Sequence, residues 1–134
     1  MWPFTKRDKQ IDFMREAYAE KLYREILPEF KKIIEDALNI INKSVYGKTR
    51  FSIRAIINEN TFNIGALNDS LITYIAFSYG EEEILIAITQ YKKKKPTLIR
   101  VKIKNQYTED YVNEVKSILI TKIVENIKRL FSIK

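Results

Sequence analysis

Residues 71–104 read LITYIAFSYG EEEILIAITQ YKKKKPTLIR VKIK. Three runs, 71–79, 84–91 and 97–104, are separated by Gly80-Glu81-Glu82 and by a lysine run, 92–95, followed by Pro96. Runs of this length, rich in Ile, Tyr, Phe and Thr and bounded by turn residues, read as strands joined in hairpins. In the last run Ile99, Val101 and Ile103 alternate with Arg100, Lys102 and Lys104, the two-residue period of a strand with one buried and one solvated face. The first two runs are apolar on both faces from Leu71 to Phe77 and from Ile84 to Ile88. Either helices cover both sides of the sheet centre, or one face meets a partner.

Upstream, residues 50–57 also alternate, with Phe51, Ile53, Ala55 and Ile57 facing one way and Ser52 and Arg54 the other. Asn58-Glu59-Asn60 is a turn, 61–67 fits either a short strand or a structured loop, and Asn68-Asp69 is a second turn. Before Gly47 the period changes to that of a helix. Thr5, with Asp8 three residues on, has the form of an N-cap, and Ile11, Met14, Tyr18, Leu22 and Ile26 fall on one face. Pro28 removes a backbone donor and breaks or kinks the pattern near Leu27. Phe30, Ile33, Ile34, Ala37, Leu38 and Ile41 continue the stripe. After the sheet, Thr108-Glu109-Asp110 opens a helix whose apolar face is Tyr111, Val115, Ile118, Leu119, Ile123, Ile127 and Leu130. The expected fold is α+β: a single domain, 1–134, with an antiparallel sheet of four or five strands over 50–104. N-terminal helices over 6–42 and a C-terminal helix over 108–131 pack on it.

The chain of 134 residues has neither histidine nor cysteine. Disulfides, thiolate nucleophiles, Ser-His-Asp triads and the usual zinc ligands are therefore excluded. Catalysis would have to run on carboxylates, Lys, Tyr or an oxygen-ligated metal, and no catalytic residue, metal ligand or cofactor is assigned. No apolar run approaches the roughly 20 residues that cross a bilayer, and no signal-peptide core follows Lys6 and Arg7, so a cytoplasmic protein is expected. The 24 basic and 17 acidic residues give a net charge of +7, which favours nucleic acid, an anionic membrane or an acidic protein as partner.

Four constellations are candidates for function. Lys92, Lys93, Lys94 and Lys95 sit at a hairpin tip joined to a strand whose outer face is Arg100, Lys102 and Lys104. Arg54 and Arg50 join that face if strand order allows, with Tyr91 and Tyr74 beside it for base stacking. Turn and edge lysines also oppose aggregation, and that role needs no ligand. In the second constellation, Asp69 precedes a hairpin that ends Gln90-Tyr91-Lys92, an order similar to the acid and Glu/Gln-x-Lys of restriction-like nucleases. Gln is a poorer metal ligand than Glu, the tripeptide lies within a lysine run, and a strand follows where that family has a helix. No catalytic role follows. The third, Glu81-Glu82-Glu83, is a solvated hairpin tip that can also meet a basic tip of a second copy. The fourth, Trp2-Pro3-Phe4, is a hydrophobic plug against the first helix or an aromatic anchor.

Two functional expectations follow. The first is a small basic non-enzymatic accessory protein that binds DNA or RNA backbone through the lysine hairpin. The second is an interaction or assembly protein (an adaptor, an inhibitor or a structural subunit of a phage or bacterial complex) that works through a protein partner or self-association.

Overall fold

The computed structural model describes residues 18–44, 50–66, 72–91, 93 and 95–133. The cap at Thr5, the stripe residues Ile11 and Met14, the Trp2-Pro3-Phe4 motif, the turns at Gly47 and Asn68-Asp69, and Lys92 and Lys94 lie outside them.

Residues 18–26 are helical (α1) and lead through a 3₁₀ turn, Leu27–Glu29, into α2, Phe30–Lys43. The break falls at Pro28, within the first residues of the 3₁₀ turn, where a missing N–H costs nothing. Five strands follow: β1 (Phe51–Asn58), β2 (Thr61–Ala66), β3 (Thr73–Tyr79), β4 (Glu83–Gln90) and β5 (Thr97–Lys102). They pair antiparallel in the order β1-β2-β3-β4-β5, a simple meander. The segment 61–67, ambiguous in sequence, is therefore a strand. The last strand ends two residues sooner than its alternation suggests, although the Ile103 N–H on the Glu82 carbonyl at 2.9 Å carries the β4–β5 pairing one step farther in register. The final helix α3, Glu109–Leu130, starts at Thr108, whose hydroxyl accepts from the Tyr111 N–H at 3.1 Å.

The described helices all pack on one face of the sheet. Ile64, Ile75, Phe77, Ile84, Ile86, Ile88 and Ile99 point inward and join the helical stripes of Leu22, Ile26, Phe30, Ile34, Ile41, Leu119, Ile123 and Ile127 in one core. Phe77 lies between two rings, stacked on Phe30 at 4.7 Å and on Tyr23 at 4.8 Å, and Tyr79 meets Tyr23 at 4.9 Å. Each fully buried aromatic of this kind stabilises by on the order of 2 kcal/mol through burial, and the ring pairs add to that. The two-sided apolar character of β3 and β4 thus resolves into one helix-covered face and one face that no described helix covers.

One sequence expectation is corrected. Phe51, Ile53, Ala55 and Ile57 do not share a face, because the register of β1 shifts between Ile53 and Ala55. Arg54 is the extra residue of a bulge, after which Ala55 stands opposite Asn63 and Ile56 opposite Phe62. Ile56 and Ile57 are 59% and 52% exposed on this edge strand. At the other end of β1 the Asn42 side chain clamps Phe51 to α2, accepting from its N–H at 2.7 Å and donating to its carbonyl at 3.0 Å.

The end of α3 closes with the Ile133 N–H on the Lys128 carbonyl and the Ser132 N–H on the Arg129 carbonyl, and Ser132 takes φ 54°. This turn seats the Phe131 ring edge-on against Phe51 at 4.9 Å. A left-handed residue with a side chain is strained by about 1–2 kcal/mol, which glycine avoids at some cost in unfolded-state entropy. Ser132→Gly is therefore expected to stabilise the protein by about 1 kcal/mol, read as a rise in the urea midpoint without a change in slope.

Tyr23 carries a second prediction. Burial, and then the charge of Glu59, push its hydroxyl above the ordinary value of 10.0, against an opposing Asn60 side chain. The folded state therefore holds this proton more tightly than the unfolded chain. The resulting stability is present below pH 10 and is lost as pH rises beyond it. In denaturation between about pH 8 and pH 11, wild type should lose more stability than Tyr23→Phe.

Candidate nucleic-acid interface

The meander gives the sheet two unlike ends. The β4–β5 turn, the start of β1 and the ends of α2 and α3 lie at one; the β1–β2 and β3–β4 turns and the starts of α2 and α3 lie at the other. At the first end stand Lys93, Lys95, Arg50, Lys43 and Arg129, all exposed, with Lys128 half-buried. At the second stand Glu59, Glu81, Glu82, Glu83, Glu109 and Asp110. These acidic residues are thus segregated to one end along the strand direction, where Lys102 and Lys104 also lie.

The hairpin is built tightly. The Tyr91 N–H donates to the Ile72 carbonyl at 2.8 Å, extending the β3–β4 ladder by one step, and the Lys93 N–H donates to the Gln90 carbonyl at 3.1 Å. Alternation buries Gln90 on the helix side and turns Tyr91, 60% exposed, to the outer face. Gln90 is therefore placed away from solvent, opposite Thr73, while Lys92 of the nuclease-like tripeptide lies outside the described residues. Gln90 Oε1 and Thr73 Oγ1 are both buried without a hydrogen-bond partner.

The other candidate cations are dispersed. Arg100 and Lys102 share the outer face with Tyr91, and Arg100 is tied to Glu83 by an ion pair of 2.8 Å. Lys102 lies directly across from Glu83 in the ladder. Lys104 lies past β5, and its backbone N–H donates to the Tyr111 hydroxyl at 2.7 Å. It lines a recess with Glu82 and Lys102. The β3–β4 acidic turn therefore neutralises much of the basic strand. Glu81, Glu82 and Glu83 do not converge, and no metal-binding cluster of three acidic residues occurs among the described residues.

Strand order removes Arg54 from the site. It belongs to the opposite edge of the sheet from β5, four strand spacings or about 19 Å away. There it lines an open groove of about 580 Å³ between α2 and β1, with Lys31, Glu35, Leu38 and Asn39. Both signs of charge rim this groove.

Of the sequence candidates, the structure brings together Lys93, Lys95 and Tyr91, with Tyr74 one diagonal step away on the same face. Sequence reasoning missed the contribution of Lys43, Lys128 and Arg129. They read as helix-terminal residues, and only the parallel run of α2 and α3 shows that they share the hairpin's end of the sheet, on the side of β1.

Comparison of the chain with protein-family models, with characterised proteins and with solved structures gives no match. Among the described residues no helix is long and apolar enough to cross a membrane.

The acidic turn's hold on Arg100 is a surface interaction, since the Arg100 side chain is 61% exposed. Glu83→Gln should change stability by less than about 1 kcal/mol, measured as the shift in urea midpoint.

Proposed function

We propose that this protein binds the phosphate backbone of nucleic acid through the basic end of its sheet, with Lys93 and Lys95 at the centre of the contact. The observation that carries the reading is the place of Lys93 and Lys95, exposed in the β4–β5 turn at the opposite end of the sheet from the acidic β3–β4 turn, whereas the basic strand β5 is met by Glu83. Cations at the ends of α2 and α3 answer the negative ends of two helix dipoles, so part of their charge has a structural use. Lys93 and Lys95 lie on a strand–strand turn and have no helix end to serve. Exposed ammonium groups at a hairpin turn attract a polyanion, which releases its counterions, without base-specific contact.

A second reading, an interaction or assembly protein, is favoured by Ile56 and Ile57, which stand exposed on the unpaired edge of β1. Contact of that kind tolerates salt, whereas backbone binding does not.

A salt series with labelled DNA and RNA separates the two. Affinity is expected to fall linearly in log–log form with salt. Lys93→Glu with Lys95→Glu should weaken binding at least about ten-fold, while Lys31→Glu with Lys32→Glu, the same change in net charge on exposed α2 positions, should weaken it far less. Absence of binding at low salt, or equal losses in the two double variants, would defeat the proposal and favour a protein partner.

A further inference from the structure

We infer that the nucleic acid taken by the basic end is single-stranded, with unpaired bases laid on the outer sheet face against Tyr91 and Tyr74. This rests on the backbone reading above and names the form of nucleic acid that the same site accepts.

The register places both rings. Tyr74 stands directly opposite Thr89 on the outward side of β3 and β4, and Tyr91 is the next outward residue along β4. The two are diagonal neighbours, about 7–8 Å apart at the backbone. Next to them toward the sheet centre, the outward positions are Ala76 and Ala87. Short side chains there leave room for a planar ring, bordered by Leu98 across from Ala87 and by Asn63 across from Tyr74. The described helices pack on the opposite face, so nothing among them covers this one. Tyr91 is 60% exposed and Tyr74 half-buried. An aromatic of that size gains most from a covered position, and a stacked base provides one.

Charge supplies the direction. Lys93 and Lys95 come two and four residues after Tyr91, so a strand whose bases lie on the two tyrosines has phosphates within reach of the tip. In a duplex the base faces are occupied by their neighbours, and only edges are offered in the grooves. Tyrosines set on a flat sheet behind the tip cannot use those edges. A single strand offers its base faces to any aromatic, whatever the sequence.

The test compares fluorescein-labelled oligothymidylate of about fifteen nucleotides with a duplex of equal length and label, by anisotropy at one fixed low salt. The single strand should bind at least about ten-fold tighter. Tyr91→Ala should bring the ratio of the two affinities close to one, Tyr91→Phe should keep it, and Tyr74→Leu should lower it. Equal affinities in wild type, or a ratio unmoved by Tyr91→Ala and Tyr74→Leu, would overturn the single-strand inference. Backbone binding would still stand if Lys93→Glu with Lys95→Glu remained defective. Failure of wild type to bind either probe would overturn both readings.

Discussion

The position of Phe77 between Tyr23 and Phe30 governs much of this structure. Strands β3 and β4 are apolar enough to be covered on either side, so burial alone does not choose a face. The aromatic stack makes that choice, because α1 and α2 each bring a large ring to the same side of β3. Once both helices are there, Phe62 is drawn against Phe30 at 5.8 Å and the stripe of α3 completes the layer. The opposite face is left with Tyr74, Ala76, Ala87 and Thr89, with Leu85 and Leu98, and with the charged side chains of Glu83, Arg100 and Lys102. The surface proposed to bind nucleic acid is thus a by-product of where the core was built.

What the sequence made legible follows its periodicities. The helical stripes, the break at Pro28, the two hairpins and the cap at Thr108 are short-range signals, each carried by a few residues whose conformational preferences agree. Two features were not legible for physical reasons. The bulge at Arg54 leaves the residue types of β1 looking like a regular strand, since one inserted residue changes the register and nothing in the composition. Strand order is a long-range property, and whether Arg54 lay near Lys102 could not follow from either one's neighbours. A meander puts them at opposite edges. The constellation read as one basic face therefore divides: Lys93, Lys95 and Tyr91 remain together, Arg100 and Lys102 are joined to Glu83, and Arg54 leaves altogether.

The segregation of charge arises partly from helix chemistry. α2 and α3 both begin at the acidic end and finish at the basic one, and the Glu29–Lys116 ion pair links their early turns. Glu109 and Asp110 at the start of α3 and the cations at the ends of both helices each gain a few tenths of a kcal/mol to about 1 kcal/mol from the dipoles. Two parallel helices thus polarise the domain whether or not it binds anything. The same dipoles reduce the positive potential that Lys43, Lys128 and Arg129 present outward. A partner attracted to this end would feel the helix termini less than their formal charge suggests and the hairpin more.

That difference bears on why the hairpin projects its lysines at all. An edge or a turn can be kept soluble with one or two charges, and the chain already has a surplus of +7. Four successive lysines in the sequence of one tip repel one another across distances shorter than the Debye length of about 8–10 Å. On the proposed reading a polyanion would relieve this repulsion, which weakens the free protein slightly and so favours the bound state. A device for solubility alone would be better served by spreading the same charges. Among the described residues, Lys93 and Lys95, beside Tyr91 and at the opposite end of the sheet from the acidic β3–β4 turn, have an arrangement that the proposed contact with a phosphate backbone would explain and folding does not require.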